Sequence, residues 1–319
     1  MLFKRQSVNS NSSQREKIIA NSIIDSVITM GYTCSAVSRF DLASGIDYLL
    51  DTSRNKALPW LSMNLSEAQH DVLPFKPYII KEVGGIKIAI LGLTDDLNKS
   101  LKNQLTGYKI KKWEDTLPAV LEEIKDRTDM TILLSNYPYK NNEKIAQQFN
   151  NIHLIIQSGS NNANIPPRLI NNTLITQTMS KGKYLGKMSI NWTPSQKWGR
   201  GKISLLNTAQ SKLREINWQI KTMANIHPAS RLTTNKRYQL LLKEKEQTTL
   251  KAEQLSKEME QVDPNEACSF SNNFIKIEDS HQKDPVVDSI VEKARSQSYR
   301  TATPKPGMKH SNPQPSKGK

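Results

Sequence analysis

Cysteine is nearly absent: Cys34 and Cys268 are the two in 319 residues, far apart and in unlike surroundings. That excludes a disulfide framework or a cysteine-built metal centre, which need paired or clustered thiols. Aromatic residues make up 6% and hydrophobic residues 36% of the chain, a low share for a chain packed along its whole length, so part of it is expected outside any core. Long apolar runs are also missing. The longest, IKIAILGL, has the length of a strand and cannot span a bilayer. The opening MLFKRQSVNSNSSQREK has no apolar stretch after its charges, so neither a transmembrane segment nor a signal peptide is legible. Acidic residues are outnumbered 30 to 45 by lysine and arginine, a formal charge of +15. This excess attracts anions, but it is scattered and matches no nucleic-acid-binding motif. A nucleic-acid partner is therefore not expected, and an electrostatic binder of anionic partners stands as one alternative reading.

What is present is an alternation of helix and strand patterns. Ile18, Ile19, Ile23, Ile24, Val27 and Ile28 recur at helical spacing up to Gly31, predicting an amphipathic helix. DLASGIDYLLDTSR predicts a second helix, and PWLSMNL a short strand. Two β-rich runs flank Gly84-Gly85, the pattern of a hairpin with a tight glycine turn. The second run is nearly all apolar, as in a strand buried on both faces. A helix over 113–127, strand MTILLSN, helix NEKIAQQF and strands IHLIIQSGS and TLITQT follow, which argues an α/β fold around a mainly parallel sheet. GKYLGKMSINW and GRGKISLLN alternate and are expected to pair as an antiparallel ribbon.

After Asn207 the character changes. Leu241, Thr248, Leu255 and Val262 fall seven apart, with Ala252 and Met259 beside them, and are expected to line an antiparallel helix pair. FSNNFIKIEDSHQ predicts a short strand, and a helix is expected from Asp284-Pro285. The expected division is a domain over 1–207, a helical extension over 208–299 with helices 209–262 as the natural site for a protein partner, and a disordered basic tail over 300–319 rich in proline, lysine, serine and glycine.

Seven segments, MGYTCSAV, GIDYLL, PWLSMNL, FKPYIIKEVGGIKIAILGLTDD, ILLSN, NNIHLIIQSGS and GKYLGKMSIN, resemble in order and spacing the metallophosphoesterase domain of bacterial 5′-nucleotidases. The resemblance implies a calcineurin-like fold, a four-layer sandwich of mixed sheets flanked by helices. It also implies a nucleotide as ligand and two divalent metal ions, manganese, zinc or cobalt, that polarise the phosphoryl group and supply a hydroxide. Members of that family are typically periplasmic or exported.

The resemblance also says where the ligands would fall. The family's Gly-Asn-His-Glu motif lands on Ser38, Arg39, Phe40 and Asp41; its Ser-His pair on Ser135 and Asn136; its Gly-His-Ser-His motif on Ser158, Gly159, Ser160 and Asn161. The motif-equivalent catalytic positions are thus Arg39, Phe40 and Asp41, and the metal positions Asp41, Asn136, Gly159 and Asn161. A cation repels a metal, neutral amides are weak ligands for transition metals, and glycine has no side chain. His153, in the adjoining strand, reads as structural. The family's Asp-x-His and Gly-Asp ligands have no counterpart and would lie upstream. Its largely β substrate domain, which stacks the base on aromatic rings, also has no counterpart.

Three readings follow. The first is a degenerate homologue without phosphomonoester hydrolysis, retained as a binding or scaffold module. The second is an active metal-dependent 5′-nucleotidase using Asp41, Asn136, Asn161 and upstream ligands. The third is the electrostatic binder.

Overall fold

The structure is a computed structural model and describes residues 2–3, 13–96, 105–159, 163–194, 198, 202–226, 228–259 and 268–300. The tail expected to be disordered, beyond residue 300, lies outside this set.

Helix α1 (Ser13–Thr29) buries Ala20, Ile24 and Ser26. It ends in a Schellman motif at Gly31 (φ 74°): Tyr32 N–H donates to Val27 O and Gly31 N–H to Ile28 O. Strand β1 (Ser35–Ala36) leads through a 3-10 turn (Asp41–Ser44) into α2 (Ile46–Asn55), which turns Ile46, Leu49 and Thr52 inward. Strands β2 (Trp60–Leu61) and β3 (Leu65–Glu67) are short. Then β4 (Tyr78–Val83) and β5 (Ile86–Leu93) form the expected hairpin, with positive φ at both Gly84 and Gly85 as its turn requires. Next come β6 (Tyr108–Ile110), α3 (Trp113–Ile124), β7 (Met130–Ser135), α4 (Tyr139–Gln148) and β8 (Leu154–Gln157). Strands β9 (Ile165–Ile170), β10 (Thr173–Gln177) and β11 (Tyr184–Asn191) complete the first two-thirds. Helix α5 (Lys202–Ile226), the short α6 (Ala229–Leu232), α7 (Lys236–Met259), β12 (Ser269–Lys276) and α8 (Pro285–Arg300) close the chain.

Six strands make one mixed sheet in the order β4-β5-β7-β8-β10-β9. Its centre, β5-β7-β8-β10, is parallel and its two edges are antiparallel. Strand β9 was not legible in the sequence because it contains Pro166 and Pro167. It is tolerated at an edge, where one side of the strand needs no ladder donors.

The sheet sits between two apolar layers. On one face Trp113, Leu117, Leu121 and Ile124 of α3 pack on Leu91, Leu93, Leu133 and Ile155. On the other, Met130, Leu154 and Leu174 meet Trp198, Cys268 and Phe270, with Met188 and Ile190 of β11 against them. Strands β11 and β12 pair antiparallel along their full length, from Tyr184 opposite Lys276 to Asn191 opposite Ser269. Helix α5 covers β12, with Arg214 donating to Asn272 O. Helices, mixed sheet, second sheet and helices make the four-layer α/β sandwich.

The ribbon expected between GKYLGKMSINW and GRGKISLLN does not form. Residues 202–207 open α5 instead, and β11 takes β12 as its partner. Short apolar runs carry no decisive period, and Ala209, Leu213 and Ile216 downstream continue ISLL as a helix. The short strand expected within FSNNFIKIEDSHQ is β12, and its pairing with β11 makes it part of the second sheet. Leu241, Thr248, Ala252 and Leu255 are buried as the heptad pattern required, and α7 runs antiparallel to α5, shown by Lys212 on Glu244 and Arg237 on Gln219. Met259's side chain and Val262 lie outside what is described.

Candidate functional site

In open α/β sheets, ligand sites gather beyond the carboxyl ends of the parallel strands. Here that edge collects the ends of β1, β5, β7 and β8, and Gly92 of β5 makes the junction with β2, the neighbour of β1. A Cβ on Gly92 would lie 2.4 Å from Leu61 O and 2.5 Å from Leu61 C, so β2 can cross β5 at backbone contact. Met63 N–H donates to Gly92 O at 2.8 Å and Val37 N–H to Leu61 O at 2.9 Å.

Beyond this crossing the chain is fixed by a buried polar knot. Asn64 accepts from Thr94 N–H (2.9 Å) and donates to Thr94 O (2.7 Å) and Lys111 O (2.8 Å). Thr94 Oγ1 donates to Val37 O and lies 2.8 Å from Ser62 Oγ. The buried side-chain polar atoms of Ser62, Asn64 and Thr94 all have partners in this knot, which makes the strand ends rigid.

The next residue, Asp95, has a side chain 2% exposed and meets Arg39 Nη1 at 3.2 Å. Arg39, 27% exposed, lies over the Phe40 ring with 5.2 Å from guanidinium carbon to centroid. Asp96 accepts from Tyr137 OH at 2.8 Å. Burial, reinforced by the Asp96 carboxylate, holds the Tyr137 hydroxyl protonated far above the usual tyrosine range. Asn136 donates to Ser158 Oγ at 2.6 Å. Beneath them runs an amide ladder: Ser135 Oγ to Asn142, Asn142 to Gln157, Gln157 to Gln177.

Of the positions singled out from the sequence, Arg39, Asn136 and Gly159 follow the ends of β1, β7 and β8 and share this edge. Asp41 is turned elsewhere. Its carboxylate accepts from Leu2 N–H (2.7 Å), Ser38 N–H (2.9 Å) and Ser38 Oγ (2.5 Å), beside the second core of Leu2, Phe3, Leu42 and Trp60. It acts as a cap for the turn and an anchor for residue 2. Ser160 and Asn161 lie outside the described residues. His153 is structural, as its strand setting implied: Nδ1 accepts from Thr131 N–H at 2.9 Å and the ring packs edge-on to Trp192.

Thr94, Asp95, Asp96, Tyr137 and Asn64 were not assigned roles from the sequence. The signal was available in GLTDD and SMN, polar residues directly after apolar strands, but their partners are 30 to 57 residues away in sequence.

The described residues do not fit a two-metal centre. No group of three or more histidine, cysteine, aspartate or glutamate side chains is placed to hold a metal among them. The motif's asparagine position carries a guanidinium paired to the nearest buried carboxylate. Gly159 has nothing within 4 Å of a built Cβ, so the space for a side chain is present and the donor is not.

No protein-family model matches the sequence, and no curated protein does. Solved structures do match the fold. A calcineurin-like phosphoesterase, YfkN from Bacillus subtilis, superposes with a TM-score of 0.57 at 12% identity over 91% of this chain and 78% of its own. A putative 5′-nucleotidase from Staphylococcus aureus, in complex with α-ketoglutarate, gives 0.52 at 13% identity over 87% and 44%. The sulfate thiohydrolase SoxB of Thermus thermophilus gives 0.51 at 17% identity over 54% and 32%, so this chain spans about a third of that protein's length. The chain therefore has the 5′-nucleotidase-like, calcineurin-like metallophosphoesterase fold. The YfkN match extends through most of the part after residue 207, in keeping with the pairing of β11 and β12.

Proposed function

We propose that this domain is a non-catalytic relative of the phosphoesterases and works as a binding or scaffold module. The observation that carries the reading is the Arg39–Asp95 pair at the strand-end edge. An arginine stays cationic at all accessible pH values, so next to the acid it neutralises it leaves little field for a divalent ion. Two features reinforce this: Asp41 is spent on three donors, and Asn136 offers a neutral amide.

The test is metal content and phosphomonoesterase turnover on the protein purified from its own source, with manganese, zinc or cobalt supplied. Folded protein with no stoichiometric metal and no nucleotide hydrolysis is expected. Two bound metals per chain together with turnover would overturn the proposal and establish an active 5′-nucleotidase.

A further inference from the structure

The ribbon of β11 and β12, with α5 and α7 outside it, meets the main sheet at the smaller of the sheet's two apolar layers. Met130, Leu154 and Leu174 of the sheet and Trp198, Cys268 and Phe270 opposite are its six buried members, against sixteen in the core on the sheet's other face. Less apolar area holds this seam, so it opens at lower cost than the other. Two indoles pin it: Trp198 Nε1 donates to His153 O at 2.7 Å and Trp192 Nε1 to Asp129 O at 3.0 Å, with the two rings 5.1 Å apart. His153 meets them from the sheet side. Its ring lies 4.5 Å from that of Trp192, its Nδ1 accepts from Thr131 N–H, its own N–H donates to Thr131 O, and its O also accepts from Leu174 N–H. One residue therefore joins β7, β8, β10 and the stretch that leads from β11 toward α5.

A second proton on this ring has no place in the closed arrangement. It would turn the Nδ1 acceptor into a donor facing Thr131 N–H, and Thr131 is buried, so its amide would lose its partner out of water. The charged and titratable groups on the surrounding elements offer no compensation. Asp129, before β7, has its carboxylate on Lys87 N–H at 2.7 Å; the Lys87 side chain on β5 is exposed; Cys268 is a buried thiol 3.3 Å from Thr193 N; and β10 and Trp192–Thr193 bring neutral side chains. From this junction we infer that His153 is an acid-sensitive latch of the outer layers: a proton on its ring favours lifting of β11, β12, α5 and α7 away from the main sheet, which itself stays folded. Burial drives His153 from 6.5 down to about 4, and once Trp192 lifts, water reaches the ring and restores the ordinary value. The open form therefore takes the proton first, and the opening equilibrium gains tenfold per pH unit across that window, on the order of 300-fold in all. What opening uncovers is apolar: Met188, Ile190 and Phe270. The inference is independent of the strand-end edge, since His153 precedes β8 and Gly159 follows it.

The experiment is amide hydrogen exchange of the full chain, read by mass spectrometry from pH 7 to pH 4.5, with each rate divided by the intrinsic rate at that pH. Protection of β11, β12 and α5 should be level above pH 6.5 and then fall by nearly tenfold per unit, on the order of a hundredfold by pH 4.5, while β5 and α3 keep theirs. His153→Gln keeps an oxygen that can accept from Thr131 N–H but takes up no proton in this range, so its profile should be flat. Trp192→Phe removes the indole bond to Asp129 and leaves the imidazole, so protection of the same three elements should drop by about fivefold at every pH with the slope retained. Protection of β5 and α3 at pH 7 checks the fold of each variant, and the slope in the parent decides the matter even where a variant does not fold. The inference is overturned by a parent profile that stays flat down to pH 4.5, by β5 and α3 losing protection together with the ribbon, or by His153→Gln following the parent's slope.

Discussion

Replacing Gly92 by alanine tests the joint that brings β1 and β2 onto the main sheet. The new methyl would sit 2.4 Å from Leu61 O, 2.5 Å from Leu61 C and 2.6 Å from Leu61 Cβ, whereas ordinary contact begins near 3.4 Å. The two closest of these atoms are backbone, so no rotamer change relieves the overlap, and the strands must separate by about 1 Å. Overpacking of this kind costs about 1–3 kcal/mol. The separation also strains the bonds from Met63 N–H to Gly92 O and from Val37 N–H to Leu61 O, each worth roughly 0.5–1.5 kcal/mol. Against this stands a gain of about 0.4–1 kcal/mol from a less flexible unfolded chain. The net expectation is a loss of about 3 kcal/mol, a fall in thermal midpoint on the order of 6–12 °C. Urea unfolding measures it, with Gly159→Ala as comparison: nothing lies within 4 Å of a Cβ there and its φ is not positive, so a change below about 0.5 kcal/mol is expected. If Gly92→Ala unfolds at the same urea concentration as the parent, β2 does not cross β5 at backbone contact and the assembly of the strand-end edge is wrong.

Three further outcomes are expected. Asp95→Asn should cost about 1–3 kcal/mol, below the full penalty for an orphaned buried charge because Arg39 keeps some water. Arg39→Met with Asp95→Asn should recover more than half of it, and a single-variant cost under about 0.5 kcal/mol in urea unfolding would deny the pair its role. His153 is driven down from 6.5 to about 4 by burial, and protonation would also break the bond its Nδ1 accepts from Thr131. The unfolded chain therefore takes the proton first: stability is full above pH 6.5 and falls by about 3 kcal/mol toward pH 4. Thermal midpoints across that window should show the fall, and a slope unchanged in His153→Gln would refute it. Burial pushes the Cys34 thiol up to about 11, with Lys81 opposing weakly, so iodoacetamide at pH 8 should alkylate it on the order of a hundredfold more slowly than a free thiol. Labelling at the free-thiol rate would show that Cys34 is not shielded.

The sequence by itself determined the elements whose signals are local. The isoleucine spacing of α1 with its Gly31 stop, the Gly84-Gly85 hairpin, the apolar strands β5, β7, β8 and β10, and the heptad line of α7 all follow from periodicity and turn chemistry over a few residues. The substitutions at Arg39, Phe40, Asn136 and Gly159 were legible as well, because motif positions are read directly. Tertiary structure decided what depends on distant partners. GRGKISLLN reads locally as a strand partner of GKYLGKMSINW, and only the fold shows β12, some seventy residues later, in that place while residues 202–207 open α5. Pro166 and Pro167 argue against a strand until the sheet places them at its edge. Asp41 looks like a surviving ligand from its motif position alone, and only the fold brings Leu2 N–H and the Ser38 turn onto its oxygens. Arg39 and Asp95 are 56 residues apart, and no local pattern records that one neutralises the other. A contact energy between such residues is set by the path of the whole chain, which is why the chemistry of this edge appears only once the strands are in register.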